Sequence, residues 1–72
     1  MDEMLVLSNI TPGQRVRLAR LALNWRQVDL ASKAKVSIED IITLEKDRFL
    51  LPSRRKQILA ILGLLDNENA EA

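Results

Sequence analysis

The chain has 72 residues with neither cysteine nor histidine, so it forms one small domain without disulfides, thiol nucleophiles or the usual zinc ligands and general bases. We therefore expect a protein that is not an enzyme and that needs no metal or cofactor. No apolar run approaches the roughly 18 residues of a membrane span, and residues 4–7 are too few for a signal peptide. The lack of cysteine favours a cytoplasmic location.

The net charge of +1 conceals an uneven distribution of charge along the chain. All Lys and Arg residues lie within 15–56, whereas half of the acidic residues lie near the two termini. Residues 11–64 carry eleven positive and five negative side chains, a net charge of +6. A basic body suits a polyanionic partner, although an ordinary solvated surface has a similar composition.

Residues 1–10 are predicted to form an N-terminal arm with an apolar centre at 4–7. Its periodicity is too weak to assign a helix or a strand, and we expect it to pack across the first helix or a second subunit. Residues 66–72 contain no large apolar side chain and are predicted to be a disordered acidic tail. The folded domain therefore spans residues 11–65.

The first helix is predicted to begin after Thr11, which forms a capping box with Gln14, and to end near Asn24. Pro12 suits the first helical position. Its predicted inward stripe has the spacing i, i+3, i+4 and i+7 and consists of Leu18, Leu21, Ala22 and Trp25. The arginines of this helix, Arg15, Arg17 and Arg20, are then expected to point away from the core.

Two short helices are predicted at residues 27–34 and 38–46, joined by the tight turn Lys35-Val36-Ser37. Ser37 is placed to cap the second of them, with Asp40 completing a capping box. The predicted inward residues of this pair are Leu30, Ala31, Ala34, Ile41 and Leu44. Two helices joined by so short a turn are typical of a helix-turn-helix motif.

The last helix is predicted at residues 54–62, because Pro52 excludes helix before it and Ser53 suits a cap. Gly63 is a natural stop for this helix. The predicted inward stripe is Ile58, Ile61, Leu62 and Leu65. Leu59 and Leu64 are left over on another face, and together with the apolar arm they predict a homodimer.

The order of these residues resembles the helix-turn-helix of the phage-repressor (Cro-like, XRE-type) family, over roughly residues 12–64. The resemblance implies an all-α fold of four to five short helices and a repressor-like DNA-binding transcriptional regulator. Its third helix would read double-stranded DNA in the major groove, as a dimer on a two-fold operator. The residues that carry the resemblance are Gln27, Leu30-Ala31, Val36-Ser37, Ile41, Leu44-Glu45 and, outside the motif, Arg15 to Leu18, Pro52-Ser53 and Leu62 to Leu64.

The chain departs from the family pattern at three places. Lys35 occupies a turn position that usually carries glycine, so it must adopt a left-handed conformation at a cost of about 1–2 kcal/mol. Arg26 stands where a Ser or Thr cap is usual. Glu39 and Asp40 replace the neutral or basic residues that are commoner on the third helix.

The candidate DNA-contacting residues lie on the third helix and on its basic flanks. Glu39 can accept a hydrogen bond from cytosine, Thr43 can bond to a base, and isoleucines can contact thymine methyl groups. Positive charge at the start of the last helix opposes the helix dipole, which indicates a use such as phosphate binding. The complete set is Arg26, Gln27, Ser37, Ile38, Glu39, Ile42, Thr43, Lys46, Arg48, Arg54 and Arg55.

A second hypothesis assigns the same fold to a protein–protein interaction module that does not read DNA. No Lys or Arg lies between Lys35 and Lys46, so the third helix is a poor reader of guanine. Its acidic and apolar face, with Ile38, Glu39 and Ile42, would then bind another protein. Resemblance implies the fold more directly than the function.

Overall fold

A computed structural model describes residues 10–65, and within that range the fold is all-α. Its four helices are α1 (Pro12–Ala22), α2 (Gln27–Ala34), α3 (Ile38–Glu45) and α4 (Pro52–Ile61). The predicted all-α class and the helix-turn-helix arrangement of α2 and α3 are therefore confirmed. The predictions for the arm before Ile10 and for the acidic tail lie outside the described residues. No helix in residues 10–65 has the length and apolar character needed to cross a membrane.

The capping boxes that the sequence predicts are present at the starts of α1 and α3. Thr11 Oγ1 accepts from the Gln14 backbone N–H at 3.1 Å, and Gln14 Oε1 accepts from the Thr11 N–H at 2.9 Å. Ser37 Oγ accepts from the Asp40 N–H at 3.0 Å, and Asp40 Oδ2 accepts from the Ser37 N–H at 3.2 Å. Asp40 thus belongs to the cap, as expected.

The other two helices begin differently. At α2, the Arg26 side chain has no acceptor atom, and only the reverse bond forms, from the Arg26 N–H to Asp29 Oδ2 at 2.8 Å. The predicted cap at Ser53 is wrong, because α4 already begins at Pro52, with Leu51 before it. Proline's fixed φ and missing N–H suit the first helical position, so the helix starts two residues earlier than expected.

Each of the four helices is followed, within two positions of its last residue, by a residue with positive φ. At the end of α2, Lys35 has φ 62°, and the Val36 N–H returns to the Ala31 carbonyl at 3.0 Å, which is a Schellman motif. The left-handed Lys35 expected from the sequence is therefore confirmed. Gly63, at φ 73°, ends α4 in the same way, as predicted. The other two are Asn24 and Asp47, residue types that tolerate this conformation.

The core lies where α2 contacts α3 and α4 and where α1 contacts α3. Its members are the buried side chains of Val16, Leu30, Ala31, Ala34, Ile41, Leu44, Ile58 and Leu59. The inward residues predicted for α2 and α3 are all among them. Trp25 is only half-buried against this core, and the Lys33 Nζ lies 5.0 Å from the centroid of its ring.

The predicted inward face of α1 is wrong. Leu18 and Leu21 are 51% and 48% exposed, whereas Gly13, Val16 and Arg20 are buried. The reason is a close helix crossing: a Cβ at Gly13 would lie 2.5 Å from the Leu44 carbonyl oxygen. Glycine lets the start of α1 touch the end of α3, and this contact sets the rotation of α1.

The face of α4 is also rotated from the prediction. Leu59, expected on a surface for dimerisation, is buried, and Ile61, expected inside, is exposed. Leu62 and Leu65 pack partly against the core, as does Leu64. The pair Ile58 and Leu59 packs inward because α4 lies against both α2 and α3 and therefore buries a broad face.

Candidate nucleic-acid interface

The outward face of α3 carries the residues that the sequence predicts there. Ile38 and Glu39 are exposed, and Ile42 and Thr43 are half-buried. Successive helical residues turn by about 100°, so these four residues share the side opposite Ile41 and Leu44. The face is short, mixed apolar and polar, and carries one carboxylate, that of Glu39.

A recess of about 240 Å³ lies beside the C-terminal end of α3. We call it the C-terminal recess. Three residues predicted from the sequence, Gln27, Ile42 and Lys46, meet there with Glu45, Arg17 and Arg20. The sequence interpretation missed the two arginines, because it turned α1 the wrong way. A signal was available in the spacing of Val16 and Arg20, which are four residues apart and therefore share one face of the helix.

A buried ion pair forms the floor of the C-terminal recess. Arg20 Nε donates to Glu45 Oε2 at 2.7 Å, and Arg20 Nη2 donates to Glu45 Oε1 at 3.2 Å. The two side chains are only 8% and 6% exposed. Arg20 Nη1 also donates to the Trp25 carbonyl oxygen at 2.9 Å. This two-point contact ties α1 to α3 and neutralises the Glu45 carboxylate.

Gln27 joins the same network from the first position of α2. Its Nε2 donates to Glu45 Oε1 at 3.2 Å, so the amide is held toward the end of α3. Gln27 thereby braces the Glu45 side chain at the end of α3. The exposed cations at the recess are Arg17 and Lys46, and neither forms an ion pair with another described residue.

A second recess, of about 250 Å³, lies beside the N-terminal end of α3. This N-terminal recess brings Ser37 and Arg54 together with Lys35, the first residue of the turn between α2 and α3. Arg54 Nη1 lies 3.3 Å from Asp40 Oδ1. Gln57 Nε2 donates to the Ala34 carbonyl oxygen at 3.3 Å and closes the recess against α2. Asp40 is thereby paired and buried, so it does not add a free carboxylate to the outward face.

The remaining predicted residues lie outside both recesses. Arg26 is exposed and pairs with Asp29, with 3.2 Å between Arg26 Nε and Asp29 Oδ2. Hydrogen bonds from the Arg26 side chain and then from its backbone N–H lower the pKa of Asp29, while the Asp29 carboxylate raises the pKa of Arg26. Arg48 is exposed in the loop before α4, and Arg55 is half-buried on α4.

Most of the acidic side chains around α3 are paired or hydrogen-bonded within the protein, and Glu39 is the exception. Of the five acidic residues in 11–64, three pair with arginine in the structure. Asp47 accepts the Gly13 N–H at 2.8 Å, which leaves Glu39 exposed on α3. Cations lie at both ends of this helix, and the stretch from Ser37 to Lys46 is about 13 Å long at 1.5 Å per residue.

Comparisons with protein-family models, curated proteins and solved structures found no match to this chain. The functional interpretation therefore rests on the two recesses and on the helix between them. Within residues 10–65, no three or more acidic side chains are grouped as metal ligands would be. The outward face of α3 offers hydrogen-bonding side chains, and exposed cations lie at both of its ends.

Proposed function

We propose that this protein is a DNA-binding transcriptional regulator, repressor-like, which inserts α3 into the major groove of double-stranded DNA. The observation that carries the proposal is the presence of cations at both ends of an outward-facing helix. The helix is about 13 Å long, and the major groove is about 12 Å wide with phosphates along both edges. Arg17 and Lys46 would neutralise one phosphate edge, and Lys35 and Arg54 the other.

The phosphate contacts would position the protein, and the outward face of α3 would read the bases. Glu39 would accept a hydrogen bond from a cytosine amino group, and Thr43 would bond to a base edge. Ile38 and Ile42 would contact thymine methyl groups. Because no Lys or Arg lies between Lys35 and Lys46, the reading would lack the bidentate contact to guanine.

Gln27 has a distinct role in this proposal. Glu45 occupies one amide hydrogen of Gln27, which leaves the other free to bind a phosphate beside the unpaired N–H groups at the start of α2. Ser37, Arg26, Arg48 and Arg55 would add backbone contacts. We further propose that the protein acts without catalysis, as a cytoplasmic homodimer on a two-fold operator.

Selection of bound sequences from random duplex DNA, at a low and a moderate salt concentration, tests the proposal. We expect an enriched motif, and we expect Glu39→Gln to change the preferred base at one position of it. If the wild type enriches no motif at either salt concentration, sequence-specific binding is refuted. A shared motif for wild type and Glu39→Gln would remove Glu39 from the reading face.

The salt dependence of binding tests the phosphate contacts separately. The log–log slope of affinity against salt is about −0.9 per phosphate neutralised, so Arg17→Ala with Lys46→Ala should reduce its magnitude by up to about 1.8. Lys56→Ala is the matched control, because Lys56 is an exposed cation that lines neither recess. Equal slopes for the double variant and the control would contradict this assignment.

One observation favours the alternative function of a protein-interaction module. Ile38 is 41% exposed beside Glu39, and Phe49, in the loop after α3, is 81% exposed. Exposed apolar surface that is contiguous and rimmed by polar residues is typical of a site that binds protein. Under this alternative, Glu39→Gln would leave DNA binding weak and without a preferred sequence, and Ile38→Ser would abolish a protein complex instead.

A further inference from the structure

The side of α1 that faces away from the core carries an apolar ridge. Leu18, Leu21 and Ala22 are exposed, and we call them the outer stripe. Leu18 lies about half a helical turn around the axis from Val16, which is fully buried. Side chains at i, i+3 and i+4 adjoin one another on a helix surface, so the outer stripe is continuous rather than a scatter of single leucines.

Positive charge borders the outer stripe on both sides. Successive residues turn by about 100°, which places Arg15 about 60° to one side of Leu18 and Arg17 about 100° to the other. Both arginines are exposed, and neither forms an ion pair with another described residue. The sequence of α1 contains no Asp or Glu. The outer face of α1 therefore combines an apolar ridge with two edges of uncompensated positive charge.

We propose that the outer stripe and its two arginines bind an amphipathic helix of a second protein, one that carries acidic residues on both sides of its apolar stripe. A helix suits this surface because a ridge of side chains on one helix packs into the groove of another, at an interaxial distance of about 8–10 Å. A strand would gain less, since the backbone groups inside α1 are already bonded within the helix. The acidic residues of the partner follow from Arg15 and Arg17, which attract carboxylates.

The charges of α1 disfavour a second copy of the chain as the occupant. A symmetric contact would place α1 against α1 and would gather two exposed arginines from each copy, with no carboxylate on either helix. Such a juxtaposition of like charges opposes association. A lipid surface fits less well too, because the outer stripe offers only two large apolar side chains for insertion. An acidic amphipathic helix matches both the leucines and the arginines.

This inference does not depend on the proposed function. Leu18 and Leu21 lie outside both recesses, so binding at the outer stripe can be measured without DNA. The eleven residues of α1 span only about 16 Å, and small contacts are typical of weak, reversible association. We therefore expect micromolar rather than nanomolar affinity.

A synthetic peptide of three heptads, with leucine at positions a and d and glutamate at e and g, is the probe. Its glutamates flank the leucines and keep the peptide from pairing with itself. Fluorescence anisotropy measures its binding to the full chain. We expect Leu18→Ser with Leu21→Ser to weaken binding about tenfold or more. Leu51→Ser is the matched control, because Leu51 is equally exposed but lies before α4. No binding, or equal losses in the two variants, would overturn the proposal.

Reversal of charge tests the acidic character of the partner. Arg15→Glu with Arg17→Glu should weaken binding of the glutamate peptide and strengthen binding of the same peptide with lysine in place of glutamate. Arg48→Glu with Lys56→Glu is the matched control, because it makes the same change in net charge at exposed positions away from α1. We expect the control to keep the preference for the glutamate peptide. An equal change of preference in both variants would overturn the proposal.

Two measurements without the peptide distinguish the other occupants. We expect Leu18→Ser with Leu21→Ser to leave the sedimentation of the protein alone unchanged. A wild-type dimer that these substitutions dissociate would assign the outer stripe to a second copy and overturn the proposal. Binding to phosphatidylglycerol vesicles that the same substitutions abolish, with no binding of the glutamate peptide, would assign the outer stripe to a lipid surface and likewise overturn it.

Discussion

Replacing Glu45 with alanine should remove a large part of the protein's free energy of unfolding. Glu45→Ala leaves Arg20 buried, with 8% of its side chain exposed, and without the carboxylate that accepts two of its hydrogen bonds. Breaking a buried ion pair by removing one partner costs about 3–5 kcal/mol. A domain of 72 residues has a free energy of unfolding of about 4–11 kcal/mol, at 0.05–0.15 kcal/mol per residue. Gln27 also loses its acceptor, so the N-terminal end of α2 should loosen as well.

Urea denaturation is the appropriate measurement, and Trp25 is a suitable probe. It is the only tryptophan of the chain, and its carbonyl oxygen accepts a hydrogen bond from Arg20. Circular dichroism at the same urea concentrations checks that unfolding is two-state. Glu39→Ala is the matched control, because Glu39 is an exposed carboxylate on the same helix, and we expect it to change stability by less than about 0.5 kcal/mol.

A double-mutant cycle distinguishes an ion pair from two unrelated contributions. Arg20→Met alone and Glu45→Met alone should each be costly. The first leaves Glu45 buried with Gln27 as its remaining donor, and the second leaves Arg20 buried without its carboxylate. Arg20→Met combined with Glu45→Met replaces both charges with apolar groups, which is often neutral or stabilising. We therefore expect the double variant to be more stable than either single variant. Additive losses, or a loss below about 1 kcal/mol for Glu45→Ala, would refute the reasoning.

Three further predictions concern the turns and the exposed surface. Lys35→Gly should raise the free energy of unfolding by about 1 kcal/mol, because glycine has no steric penalty at φ 62°. The control Lys56→Gly, within α4, should lower the free energy of unfolding by about 1 kcal/mol. Urea titrations in which both variants lose stability would contradict this prediction. The lowered pKa of Asp29 means that its contribution to stability is present above the ordinary pKa of 3.8 and is lost as the pH falls through the lower folded value. Asp29→Asn should accordingly reduce the dependence of stability on pH below about 4. If stability falls with pH below about 4 as steeply in the variant as in the wild type, the contact between Asp29 and Arg26 does not stabilise the protein. Phe49 is 81% exposed and is therefore a candidate contact for self-association. Phe49→Ser should then weaken any self-association of the protein seen by sedimentation, and unchanged association would exclude Phe49 as a contact.

The local features of this protein were predictable from short stretches of sequence. The capping boxes of α1 and α3, the left-handed Lys35 and the end of α4 at Gly63 each depend on residues within one turn of helix. The helix-turn-helix pair and the inward residues of α2 and α3 followed from the same local patterns. The predictions of caps and turns hold because hydrogen bonds between neighbouring residues do not depend on how the helices pack.

The rotation of α1 was decided by tertiary contacts. Four apolar residues at helical spacing predicted its inward face, yet the packed face carries Gly13, Val16 and Arg20. Hydrophobic periodicity measures only how apolar a face is. It does not register that Gly13 permits backbone contact with Leu44, or that Arg20 finds a buried carboxylate at Glu45.

The candidate interface divides in the same way. Sequence identified Gln27, Ser37 and the outward face of α3, which follow from the order of residues along two helices. Only the packed structure brought Arg17 to Gln27 and Lys46, and only packing paired Arg54 with Asp40. Arg54 and Asp40, which are 14 positions apart in the chain, meet because α4 lies against α3. Whether a charged side chain is paired or exposed to a ligand depends on such long-range contacts, and a local sequence pattern contains no information about them.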